Sequence, residues 1–124
     1  YGLALDLTLR DQQKKLKELG RPWEIAKGFD GACPVSGFIA AHELGDVQQL
    51  AFSLKVNGEL RQQGDTSMMI RSVSQIISEM SQFFTLLPGD LVLTGTPAGV
   101  GPLNSGDQLE LALADKLHIK TSVR

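Results

Sequence analysis

The stretch from Leu50 to Gln63 constrains the fold more than any other part of this chain. Phe52, Leu54 and Val56 alternate with Ser53 and Lys55, Asn57-Gly58 follows, and a return segment runs from Glu59 to Gln63. An Asn-Gly pair between alternating runs is a strong short-range hairpin signal, because both residues of such a two-residue turn need positive φ. The stretch therefore predicts antiparallel strands over about 50–56 and 59–63, and a sheet that does not depend on helical crossovers.

The rest of the chain is consistent with that start. Residues 2–8 alternate Leu3, Leu5 and Leu7 with Ala4, Asp6 and Thr8, which predicts a half-buried strand. Thr8 and Asp11 have capping-box spacing, so a helix is expected from there to about Leu19, with Gly20 as its stop and Pro22 blocking its return. Asp6 then falls just before a helix N-terminus, where local electrostatics favour its ionised form. Residues 28–49 are loop-rich, punctuated by Gly28, Gly31, Pro34, Gly37 and Gly45. From about Ser67 to Phe84, the positions Met69, Ile70, Val73, Ile76, Ile77, Met80, Phe83 and Phe84 follow helical spacing and read as a core-facing stripe. Leu87-Pro88-Gly89-Asp90 reads as a turn, and 91–93 as a buried strand entering the glycine-rich run Thr94-Gly95-Thr96-Pro97-Ala98-Gly99-Val100-Gly101. Ser105-Gly106-Asp107 turns the chain into closing strands at about 108–113 and 117–123. Many strands, two helices and no regular alternation between them predict an α+β fold.

Composition narrows the classes of function. A chain of 124 residues suits one domain, and its net charge of −2 comes with lysines and arginines that are scattered rather than clustered. That pattern lacks the basic face and aromatic platforms of a nucleic-acid binder. Lys14, Lys15 and Lys17 read as the solvated face of a helix. No apolar run is long enough to span a bilayer. The single cysteine, Cys33, rules out a disulfide framework and a paired-cysteine zinc site, fits a reduced compartment, the cytoplasm or a mitochondrion, and reads as a buried thiol.

Taken one at a time, the candidate chemical groups have plain structural readings. The glycine-rich run lacks the Gly-Lys-Ser/Thr of a P-loop, and Pro97 and Pro102 break any dinucleotide fingerprint. It could be a tight turn, or its N–H groups could hold a carboxylate. Asp6 could be a metal ligand, an aid to helix capping or a solvated charge. Lys27, within Trp23-Glu24-Ile25-Ala26-Lys27-Gly28-Phe29, could be a desolvated catalytic group or a snorkelling side chain. His42 and His118 have no partner at ligand spacing.

The order in which these pieces occur is more telling. Ala4-Leu5-Asp6-Leu7-Thr8-Leu9-Arg10-Asp11-Gln12-Gln13 is followed by Pro22-Trp23, Ala26-Lys27-Gly28-Phe29 and Cys33-Pro34. Then come Leu54-Lys55-Val56-Asn57-Gly58-Glu59, residues 62–65, Pro88-Gly89-Asp90 and Leu93-Thr94-Gly95-Thr96-Pro97. This series, covering nearly the whole chain, resembles the fumarylacetoacetate hydrolase family, in particular its small acylpyruvases and their bacterial relatives.

The resemblance implies a mixed β-sandwich roll, a homodimer and a Mg²⁺ or Mn²⁺ ion held by carboxylates. It matches Asp6 to a metal ligand, Lys27 to the active-site lysine, Gly95 and Thr96 to the turn that contacts the substrate carboxylate, and Arg10 and Gln13 to pocket-lining positions. Leu9 departs from the alanine of many relatives and is expected to change packing alone. The family's Glu-x-Glu metal ligands and its water-activating His and Glu lie upstream of the matching region, so residues 1–124 are expected to be the C-terminal part of a single catalytic domain. The implied function is metal-dependent hydrolysis of the C–C bond of acylpyruvates or related β-diketo acids through an enolate. Decarboxylation or tautomerisation of oxaloacetate or another β-keto acid is the alternative on the same site, and a catalytically silent scaffold is a third reading.

Overall fold

The computed structural model describes residues 1–124. The hairpin forms as its sequence requires: β1 (Ala51–Val56) pairs antiparallel with β2 (Glu59–Asp65), and Asn57 and Gly58 take φ values of 53° and 83°. Then β3 (Gln108–Leu113) and β4 (Leu117–Ser122) complete a four-stranded sheet in the order β2-β1-β3-β4, antiparallel throughout. This is an α+β chain whose helices are all short: α1 (Arg10–Glu18), α2 (Glu24–Lys27), α3 (Ala41–Leu44) and α4 (Val73–Met80).

Alternation along the strands places the core. Leu54 and Val56 of β1 meet Leu109 and Leu111 of β3 on one face, and Leu113 continues that face toward Leu44 and Leu50. Leu109 is the most enclosed of these, 2% exposed, and burying a leucine to that degree contributes about 2–3 kcal/mol. Leu3 and Leu5 cover the cluster from the N-terminal segment, which is extended but not a regular strand. Its N–H groups at Leu5, Leu7 and Leu9 donate to the carbonyls of Pro34, Ala32 and Ala26, laying residues 3–9 antiparallel to the loop-rich stretch. The alternation in that loop turns Ala32 inward and leaves Cys33 exposed, which corrects the reading of a buried thiol.

Two helix boundaries differ from expectation, each for a local reason. Thr8 does not cap α1: Leu9 is the N-cap and no side chain accepts there, because the Thr8 hydroxyl oxygen accepts from Lys27 Nζ instead, at 2.9 Å. The helix still ends as expected, with Gly20 at φ 61° and the Arg21 N–H bonded to the Leu16 carbonyl. The second predicted helix breaks in two. Asp65 caps a 3₁₀ turn at Thr66–Met68, Met69 is extended, and Ser72 opens α4 through a reciprocal capping box with Gln75. None of the apolar residues of α4 is buried, and Phe83 and Phe84 are exposed, so the stripe is not part of this chain's core. With ten buried residues in total, the core is too thin to cover that face.

The expected strand at 91–93 is also absent. Residues 91–103 form no backbone–backbone hydrogen bond, and Leu91 and Leu93 are half exposed. A strand needs a neighbour to satisfy its ladder, and no segment of the described chain lies alongside to provide one.

Candidate functional site

Lys27 closes α2, and the neighbouring Ala26 is completely buried, so the backbone that carries the lysine is anchored against the N-terminal segment. Its ammonium uses all three donors: Asp6 Oδ1 at 2.5 Å, Thr8 Oγ1 at 2.9 Å and the Leu7 carbonyl at 3.2 Å. The Asp6 and Lys27 side chains are 53% and 34% exposed. An ion pair that open contributes at most about 1 kcal/mol to stability. Its main consequence is orientation, since three acceptors on one extended segment hold a cation at a defined point. The period-two geometry of residues 6–8 explains how: Asp6 and Thr8 project from the same side of the segment, with the Leu7 carbonyl between them.

Arg10 begins α1 and Gln13 follows one turn later, and the Arg10 guanidinium donates to Gln13 Oε1 at 3.1 Å. Gly95 has φ 111°, a backbone conformation that favours glycine, and Thr96 beside it is exposed. Gln62 Nε2 donates to both Thr96 Oγ1 and the Pro97 carbonyl, each at 2.9 Å. The predicted residues thus form three groups: Asp6 with Lys27, Arg10 with Gln13, and the Gly95-Thr96 turn on Gln62. No hydrogen bond joins one group to another.

Local pattern does not show what Thr8 and Gln62 hold. Thr8 reads both as part of a capping box and as polar company on the Asp6 side of an extended segment, and neither reading points to Lys27. Gln62 carries no local signal, because its partner is 34 residues away. His42 and His118 are exposed and take no part in these groups.

The carboxylates do not assemble a metal centre on their own. No three His, Cys, Asp or Glu side chains of this chain come together as ligands, and Asp6 is engaged by Lys27. Asp6 provides one pair of hard oxygen donors of the kind that Mg²⁺ and Mn²⁺ prefer, and these ions need several more.

Comparison with known proteins supplies the wider frame. The family model for the C-terminal region of fumarylacetoacetate hydrolase matches residues 1–124. The chain belongs to the fumarylacetoacetate hydrolase family. Within that family, it is 63% identical over 110 residues to the oxaloacetate tautomerase YcgM of Escherichia coli, covering 88% of this chain and 50% of that protein. It is 47% identical over 123 residues to the mitochondrial oxaloacetate tautomerase FAHD1 of Bos taurus, covering 99% of this chain and 56% of that protein. Among solved structures, the fumarylpyruvate hydrolase of Pseudomonas aeruginosa, in complex with Mn²⁺ and pyruvate, superposes with a TM-score of 0.92 at 42% identity, over 99% of this chain and 53% of that one. The chain spans about half the length of the curated relatives it matches. No helix of the structure is long and apolar enough to cross a membrane.

Proposed function

We propose that the full-length protein interconverts the keto and enol forms of oxaloacetate or a closely related short β-keto acid. The observation that carries this reading is the 63% identity to the Escherichia coli oxaloacetate tautomerase. It displaces C–C hydrolysis, the first function suggested by the family resemblance, to second place.

The chemistry suits the residues at hand. In the keto-to-enol direction a proton leaves C3, the C–H electron pair becomes the C2–C3 double bond, and the C2 oxygen gains a proton. No group departs and nothing is oxidised. Negative charge grows on the C2 oxygen, so a fixed positive charge near it lowers the barrier. Lys27 is that cation in this proposal, held by Asp6, Thr8 and the Leu7 carbonyl. Arg10, steadied by Gln13, and the Gly95-Thr96 turn bind the substrate carboxylates. A Mg²⁺ or Mn²⁺ ion, with Asp6 among its ligands, would add positive charge beside the keto-acid oxygens. The working enzyme is proposed to be a cytoplasmic homodimer.

Hydrolysis of an acylpyruvate remains the second reading, favoured by the likeness to the fumarylpyruvate hydrolase. One pair of assays separates the readings. With oxaloacetate, full-length protein should speed the decay of enol absorbance without releasing pyruvate or CO₂ above background. Pyruvate and fumarate formed from fumarylpyruvate would favour hydrolysis, CO₂ from oxaloacetate would favour decarboxylation, and no turnover of either substrate would leave the silent scaffold.

A further inference from the structure

The glycine-rich segment is hydrogen-bonded through a single residue. Residues 91–103 make no backbone–backbone hydrogen bond, and both of their side-chain hydrogen bonds come from one atom, Gln62 Nε2. The strand beneath is shaped to meet them. In the β1–β2 pairing Leu54 faces Gln62 and Lys55 faces Leu60, so Arg61 is an extra, unpaired residue, a β-bulge on the edge strand. Bulges bend a strand and re-aim its side chains. Here the Arg61 carbonyl lies so close to Gly99 that a Cβ there would collide with it, and Gly99 also has φ 96°. A Cβ at Gly101 would run into the Arg61 guanidinium. The loop therefore crosses the bulge in close contact, with Gly99 where the two backbones meet and Gly101 against the Arg61 side chain.

The direction of the Gln62 hydrogen bonds matters most. The Pro97 carbonyl can only accept, so the atom facing it is the amide nitrogen of Gln62. That same nitrogen donates to Thr96 Oγ1. A hydroxyl whose oxygen already accepts from an amide keeps its own hydrogen free to donate elsewhere. We propose that Gln62, set by the Arg61 bulge, is a positioning residue that holds the Gly95-Thr96 turn with the Thr96 hydroxyl hydrogen aimed at a substrate carboxylate. This rests on the reading that Gly95 and Thr96 bind that carboxylate.

The test uses full-length protein with Gln62→Ala, Gln62→Glu and Thr96→Ala, alone and with each Gln62 change combined with Thr96→Ala. Affinity is measured as KM for oxaloacetate and as Kd for oxalate, a non-reacting dicarboxylate. Gln62→Glu replaces the donor with an acceptor, which draws the Thr96 hydrogen inward and repels the Pro97 carbonyl. It is expected to raise KM and Kd roughly tenfold, with kcat within about threefold of the parent. Gln62→Ala should raise them less and speed amide exchange across residues 94–101. Once Thr96 is alanine, Gln62→Glu should lose most of its effect, keeping only the part that comes from repelling the Pro97 carbonyl. The proposal is overturned if KM and Kd are unchanged in well-folded Gln62→Glu, if its full effect persists beside Thr96→Ala, or if exchange speeds up while affinity stays the same. Oxalate binding without oxaloacetate turnover would sink the proposed reaction alone, leaving the clamp to be judged on Kd. Failure of the parent protein to bind either ligand would sink both.

Discussion

The ammonium of Lys27 lies 2.5 Å from a carboxylate oxygen of Asp6, although 21 residues separate them in sequence. The pair joins the end of a short helix to an extended segment and leaves both charges partly open to solvent. Such an arrangement adds little to stability, so its substitutions should be felt in chemistry before they are felt in folding.

In the full-length protein, Lys27→Met is expected to lower kcat by on the order of 10²–10³, the usual loss when a charge-stabilising donor is removed. Its melting temperature should stay within a few degrees of the parent, and bound metal should be retained. Asp6→Asn should instead lose metal on dialysis. Steady-state kinetics with elemental analysis checks both, and metal loss from the Lys27 variant would contradict the assigned roles.

Thr8 tests whether the lysine must be held as well as charged. Thr8→Val removes one of three acceptors from the ammonium and should lower kcat about tenfold, whereas Thr8→Ser should stay close to the parent. A loss in Thr8→Ser with Thr8→Val close to the parent would mean that the methyl group, not the hydroxyl, matters.

Asn57 locks the hairpin tip to the start of β3. Its amide donates to Asp107 Oδ1 at 2.9 Å, and its side-chain oxygen accepts the Gln108 N–H at 2.8 Å. Asn57→Ala loses both bonds and puts a residue that tolerates the left-handed region less well than asparagine at φ 53°, so denaturant unfolding should show a loss of about 2–3 kcal/mol. Asn57→Gly keeps the turn without the bonds and should lose roughly half as much.

Ala114 opens the turn between β3 and β4 at φ 47°, a conformation an L side chain resists. Ala114→Gly should stabilise the protein by about 0.5–1 kcal/mol, the relief of strain outweighing the extra freedom of the unfolded chain. A lowered urea midpoint would show that the site tolerates alanine without strain.

Three aspartates contribute to the acid limb of stability. The Gln48 N–H and then the Gln49 amide hold Asp46 below the ordinary carboxylate range; the Ser67 hydroxyl and N–H do so for Asp65, and the Asn104 N–H and the Asn57 amide for Asp107. Because these groups are more acidic when folded, the unfolded chain takes up protons first as pH falls. Their stabilisation is complete above about pH 5 and fades below about pH 4, as pH drops through the folded values. Thermal midpoints between pH 2 and 7 should follow that course, and Asp107→Asn should flatten it.

The sequence and the structure agree most closely where the determining interactions are local. The Asn57-Gly58 hairpin, the Gly20 stop and the closing strands were legible because adjacent residues carry the signal. The helix expected over 67–84 misled because apolar spacing continued through Ser72, whose spacing from Gln75 is itself a start signal. The strand expected at 91–93 misled because three apolar residues in a row cannot show whether a partner strand is present. For the site, the resemblance singled out Asp6, Arg10, Gln13, Lys27, Gly95 and Thr96, while the hydrogen bonds that hold them could not be read from their positions.

By itself, the sequence determined the hairpin, the antiparallel character of the sheet and the family, since these depend on turn chemistry, period-two alternation and the order of motifs. The tertiary structure alone decided that Thr8 serves Lys27 rather than a helix cap, that Cys33 faces outward, and that the glycine-rich turn rests on Gln62. Each of those outcomes depends on which polar group lies nearest once distant segments have packed. That competition takes place between residues 19 to 34 positions apart, or in the outward turn of a loop, beyond the reach of any local pattern.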